Sequence, residues 1–100
     1  MNASHRERTD EVLDRKDEAS ALAEKHLAKL RPPADPIEAF AYWQRLAEAA
    51  IEESWRTVHE SREATGEPPW WAVGAVLDVS SESARSRANY AYGKYGLADR

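Results

Sequence analysis

Residues 70–92 read WWAVGAVLDVSSESARSRANYAY, and the fold follows from how this run divides. Val73, Val76 and Leu77 recur at helical spacing and give a short helix, about 70–77, its buried face. Gly74 falls where two helices approach closely and a side chain larger than alanine's would collide. Asp78 stands at the turn, where aspartate tolerates a left-handed backbone better than most residues. Val79 plugs the angle between the helices, and Ser80 offers its hydroxyl as the cap of the next one. In that second helix, about 81–92, Ala84, Ala88, Ala91, Tyr92 and Tyr95 share an inner face. Ser81, Glu82, Arg85, Ser86 and Asn89 share the outward face, flanked by Arg87, Tyr90 and Lys94. Gly93 and Gly96 end the helix, with Tyr95 and Leu97 folding back. The run therefore reads as a helix-turn-helix.

Upstream, Asp35-Pro36-Ile37-Glu38 is a helix start: Asp35 caps, Pro36 suits the first helical position and Glu38 completes a capping box. Nothing interrupts the helix until about Thr65, where Gly66 supplies a C-terminal cap and Pro68-Pro69 forbids continuation. Such a helix of roughly 30 residues is about 45 Å long. Phe40, Trp43, Ala47, Ala50, Ile51, Ser54 and Val58 form one stripe along it, Leu46 and Trp55 widen it, and Tyr42 adds aromatic surface. A chain of 100 residues has too little else to cover that stripe, so the helix is expected to be central and to pair with a second copy. Before it, Ser4-His5-Arg6-Glu7 is a capping pattern that opens a first helix, charged and frayed through Glu18. From there Ala19, Leu22, Ala23, His26, Leu27 and Leu30 fall on one face until Pro32-Pro33 stops the helix. The expected architecture is all-α, about four helices, with the long helix before a C-terminal helix-turn-helix and no wing. Residues 1–100 read as a single domain, with 1–66 carrying the N-terminal helices and dimerisation and 67–97 the helix-turn-helix.

The bulk numbers exclude several classes. There is no cysteine, so neither a disulfide nor a thiolate metal site can form. No window approaches the ~20 apolar residues of a membrane span, and the charged N-terminus lacks a signal-peptide core, so a cytoplasmic chain with no membrane partner is expected. His5, His26 and His59 are far apart and lack metal-ligand spacing; no metal and no cofactor is expected. Glu52-Glu53 and Glu60/Glu63 are ordinary solvated helix positions. With no glycine-rich phosphate loop and no nucleophile elbow, the chain does not read as an enzyme. The net charge of −4 argues against a generic polyanion binder. It is uneven, however: the acidic excess lies in residues 1–66, while residues 70–100 carry a slight basic excess.

The second helix of the 70–92 run has the division of labour of a recognition helix, which lies in the major groove of double-stranded DNA. Arg85 can pair with guanine and Asn89 with adenine, Ser86 reaches bases, and Ser81 and Glu82 stand at the leading end. Ser80, Arg87, Tyr90 and Lys94 are placed to hold phosphates. So few basic groups make a lone copy a weak binder, and a homodimer is the expected remedy. Its interface is assigned to Phe40, Trp43, Ala47, Ala50 and Ile51, with Leu22 and Leu27. Trp70 and Trp71 could lie on the phosphate backbone, but one of them is better used in the core, anchoring the short helix to the long one.

The segment from Trp70 to Ser80 resembles the W-x-x-I-G-x-x-L-G-V-S motif of small helix-turn-helix proteins of actinobacteria, their plasmids and phages, and is similar to sigma-factor region 4. Trp70, Gly74, Leu77, Val79 and Ser80 match, and Val73 is conservative. Asp78 departs from the usual glycine, and Ser81 from the usual basic residue. The resemblance covers about 25 residues and implies DNA binding. The layout also resembles the Fis nucleoid-protein family, with a long central helix and a helix-turn-helix ending near Tyr92-Gly93 or Tyr95-Gly96, which implies a dimer. The expected function is a sequence-specific, homodimeric DNA-binding regulator of transcription. Two alternatives stand beside it. The acidic, aromatic N-terminal two-thirds could bind a protein partner, as in sigma-like adaptors or phage inhibitors of host transcription. An architectural, partition or excision role would follow the Fis resemblance. The bland reading of the 70–95 segment is a helical hairpin, with Arg85, Arg87 and Asn89 simply solvated; that of Tyr42, Trp43 and Trp55 is packing rather than a ligand pocket.

Overall fold

A computed structural model describes residues 3–97, with side chains from residue 8. It is all-helical: α1 (Ala3–Ala28), α2 (Pro36–Thr65), α3 (Trp70–Leu77) and α4 (Ser81–Lys94), with no strand among the described residues. The helices gather into two compact units. One holds α1, α3 and the start of α4. The other holds α2, the rest of α4 and the turn after it, α4 being divided between the two at Arg87–Ala88.

The long helix begins and ends where its punctuation requires. Asp35 is extended (φ −67°, ψ 130°), and its Oδ2 accepts from the backbone N–H groups of Ile37 and Glu38, both at 3.0 Å. Two of the donors orphaned at a helix start are thereby satisfied. At the far end Gly66 adopts φ 80°, which lets its N–H reach the Arg62 carbonyl at 2.8 Å. None of the residues of α2 is fully buried. The positions partly shielded from water include Glu48, Glu52, Trp55 and His59, at helical spacing along one face. Phe40 (64% exposed) and Ile51 (49%) of the expected stripe lie open.

In α1 the expectation is inverted. The helix is continuous through its charged first half, and it packs against α3. Thr9, Val12 and Lys16, spaced three and four apart, are its half-buried positions, and the Arg8 guanidinium stacks 5.5 Å from the centre of the Trp71 ring. The apolar run from Ala19 to Leu27 is exposed throughout. Long charged side chains can cover apolar surface with their stems, so charge density does not by itself keep a helix face in water. The helix also stops earlier than Pro32 demands, closing at Ala28 with the Lys29 N–H on the His26 carbonyl. The Ser4–Glu7 capping pattern, with His5, lies outside the described side chains.

Candidate nucleic-acid interface

The segment from Trp70 to Leu97 is held by small residues and backbone contacts. Ala72, Val73 and Gly74 of α3 are buried, as is Ala84 of α4, which has no exposed surface. A Cβ built on Gly74 would lie 2.6 Å from the Val79 carbonyl oxygen and 3.1 Å from that of Ser80. The close approach read from the sequence is therefore real, but what crowds Gly74 is the backbone of the turn. Asp78 takes the left-handed conformation (φ 58°, ψ 45°), the one non-glycine residue with positive φ among those described. It lets the chain reverse, so that the Val79 N–H donates to the Gly74 carbonyl at 2.9 Å. Ser80 opens α4 as expected. Its Oγ accepts from the Ser83 N–H at 3.1 Å, and its carbonyl from the Ala84 N–H at 2.9 Å.

One detail of α4 differs from the sequence reading. Gly93 does not end the helix, which runs on to Lys94. Gly96, at φ 67°, makes the stop: the Leu97 N–H donates to the Tyr92 carbonyl and the Gly96 N–H to that of Gly93. This is the Schellman arrangement, which satisfies two orphaned carbonyls and throws the next residue back onto the helix. Leu97 is accordingly 1% exposed, a large side chain buried at the end of a helix whose other buried residues are alanines.

On the outward face Ser81, Glu82, Arg85, Ser86 and Asn89 are all exposed, as are Ser80, Arg87 and Tyr90. Arg85, Arg87 and Asn89 make no side-chain hydrogen bond or ion pair within the described residues. Lys94 is the exception. Its Nζ lies 3.2 Å from Glu48 Oε1, while the Tyr95 hydroxyl donates to Glu48 Oε2 at 3.0 Å. The Glu48 carboxylate thus clasps the end of α4 to α2. Hydrogen bonds from Lys94 and then Tyr95 hold its pKa below the ordinary value, and the same pairing raises that of Lys94. Partial burial, reinforced by the bond to Glu48, raises Tyr95. Further along the same contact, His59 lies against Tyr92 with ring centres 4.6 Å apart.

Glu48 is the residue the sequence reading missed. It is the one acidic residue between Glu38 and Glu52, set between Ala47 and Ala49, and that isolation was its signal. Of the residues assigned to a dimer interface, Leu22, Leu27, Phe40, Ala47, Ala50 and Ile51 are exposed, while Trp43 is half-buried with its ring edge-on to Tyr42. No helix is long and apolar enough to cross a membrane among the described residues. No protein-family model, curated protein or solved structure matches this chain.

Proposed function

We propose that this chain is a sequence-specific double-stranded DNA-binding protein that acts as a homodimer and regulates transcription, with α3, the Asp78–Ser80 turn and α4 as its helix-turn-helix. The observation that carries this reading is the division of α4. Its inner face is alanine, closely packed and capped at both ends, whereas Arg85, Ser86 and Asn89 project from the opposite face without partners in the described chain. Packing alone needs only the inner face. Unengaged arginine and asparagine on a rigid helix suit base edges, because each offers bidentate bonding to guanine or adenine in the major groove. Ser81 and Glu82 lie at the leading end, with Ser80, Arg87 and Tyr90 set for phosphate oxygens. Lys94 is already paired to Glu48, so it serves first to fix α4 and contacts phosphate only by exchanging that partner.

The experiment is selection of bound duplexes from a random pool, followed by fluorescence anisotropy on the selected site. Replacing Arg85 by Ala should cost about 1–3 kcal/mol and relax preference at one base pair. Full affinity and unchanged preference in that variant would overturn the assignment.

The acidity of the whole chain favours a second reading, in which a protein partner is the target and the outward face of α4 is a docking surface. The two readings separate on heparin: salt-dependent retention belongs to the first, flow-through to the second.

A further inference from the structure

The long helix carries a face without charge along its whole length. At 3.6 residues per turn, Phe40, Trp43, Ala47, Ala50, Ile51 and Ser54 fall within an arc of about 120°, and every charged residue of α2 falls outside it. That face is displaced by roughly a quarter-turn or slightly more from the one bearing Glu48, Trp55 and His59, which engages the end of α4. Over Phe40 to Ser54 it is mostly open to water, with Phe40 64% and Ile51 49% exposed. The open strip from Phe40 to Ser54 is about 21 Å long and about 10 Å wide.

We infer that this face is covered by the same face of a second copy, with the two α2 helices antiparallel and the two-fold axis between Ala47 and Ala50. Three features select this occupant. A partner bearing charges would have to bury them unpaired, so the occupant must itself be uncharged over the same length, and this face meets that requirement for itself. In the antiparallel register Trp43 faces Ser54 and Ala47 faces Ala50, so the bulky ring meets a small residue and two alanines meet at the centre. The helices can then approach closely at the centre, with their macrodipoles opposed. Third, a two-fold axis that relates antiparallel helices runs perpendicular to both. The Glu48 clasps of the two copies then lie on one side of the seam, so both α4 ends emerge on the same side. A parallel pair, related by an axis along the helices, would send them to opposite sides. Emergence on one side is what two half-sites on one DNA face require; this third argument rests on the DNA reading, the first two do not.

The chain has no cysteine, so single introduced thiols report the seam without background. Light scattering on the full chain without DNA should give the dimer mass at micromolar concentration. Ile51→Glu should give the monomer mass while circular dichroism stays helical. With a short bismaleimide, Ala47→Cys should link to its mate. Ser54→Cys should not, because the two thiols are separated by about 16 Å along an antiparallel seam. A monomeric wild-type chain, or a dimeric Ile51→Glu, overturns the interface. Linking of Ser54→Cys as readily as Ala47→Cys overturns the antiparallel register. Because none of these measurements contains DNA, failure of the seam is distinguishable from failure of DNA binding.

Discussion

Gly74 and Asp78 set the geometry of the turn from opposite directions. Gly74 is required by space, since an added Cβ meets a backbone oxygen at 2.6 Å and the backbone has nowhere to yield. Gly74→Ala gains helix propensity but forces α3 away from the turn, and overpacking of this kind costs about 1–3 kcal/mol. Urea unfolding should show a lower midpoint with an unchanged slope. Asp78 is required only by conformation, and aspartate is second to glycine in the left-handed region. Asp78→Gly should therefore raise stability by up to about 1 kcal/mol, while Asp78→Val should lower it by about 1–2 kcal/mol. A loss of stability in Asp78→Gly would mean that the carboxylate has a role beyond tolerating its backbone. These two residues were legible from sequence because their demands are local: the spacing of Gly74 from the turn and the position after Leu77 suffice.

At the scale of elements, the caps of α2 and α4 and the Schellman turn at Gly96 explain where helices stop, and the Glu48 clasp explains what α4 is tied to. Its pH dependence has a defined sign. The folded-state pKa of Glu48 is depressed, so its contribution is complete above the ordinary carboxylate value and is lost as pH falls through the folded value. Lys94 is raised, so its contribution is complete below the ordinary lysine value and is lost as pH rises through the folded one. Stability should hold a plateau at neutral pH and fall on both limbs. Glu48→Gln should flatten both limbs relative to wild type, read from thermal midpoints across pH. It should also leave Lys94 free, so affinity for all DNA sequences should rise or stay level. Loss of DNA affinity in a Glu48→Gln variant that remains fully folded would show that the clasp positions α4 for binding. The clasp joins positions 46 and 47 apart in sequence, and neither α2 nor α4 alone announces the pairing.

For the whole molecule, net charge would limit how DNA is held on the proposed reading. With a charge of −4 and few basic groups on α4, each copy would neutralise few phosphates. The slope of log affinity against log salt is about −0.9 per phosphate contact, so a dimer using Arg87 and one or two neighbours per copy should show a slope between about −3 and −6. A much steeper slope would place other basic groups of the chain on the DNA; a slope near zero would favour the protein-partner reading.

The sequence alone determined the helices and both ends of α2, the end of α3 and the start of α4, because these start and stop signals act through neighbouring backbone groups and left-handed turns: Asp35 and Gly66, Ser80 and Asp78 each do their work within a few residues. It also separated the alanine face of α4 from the polar one, since 3.6-residue periodicity is a property of one helix. Which face of each helix meets another was decided only in three dimensions. The apolar run of α1 lies open while its charged half packs on α3, and the face of α2 that holds α4 is the one bearing Glu48 and His59. Amphipathic pattern records that a face is to be buried but not against what. A face that a chain of this size leaves uncovered carries the same pattern as one buried in its own core.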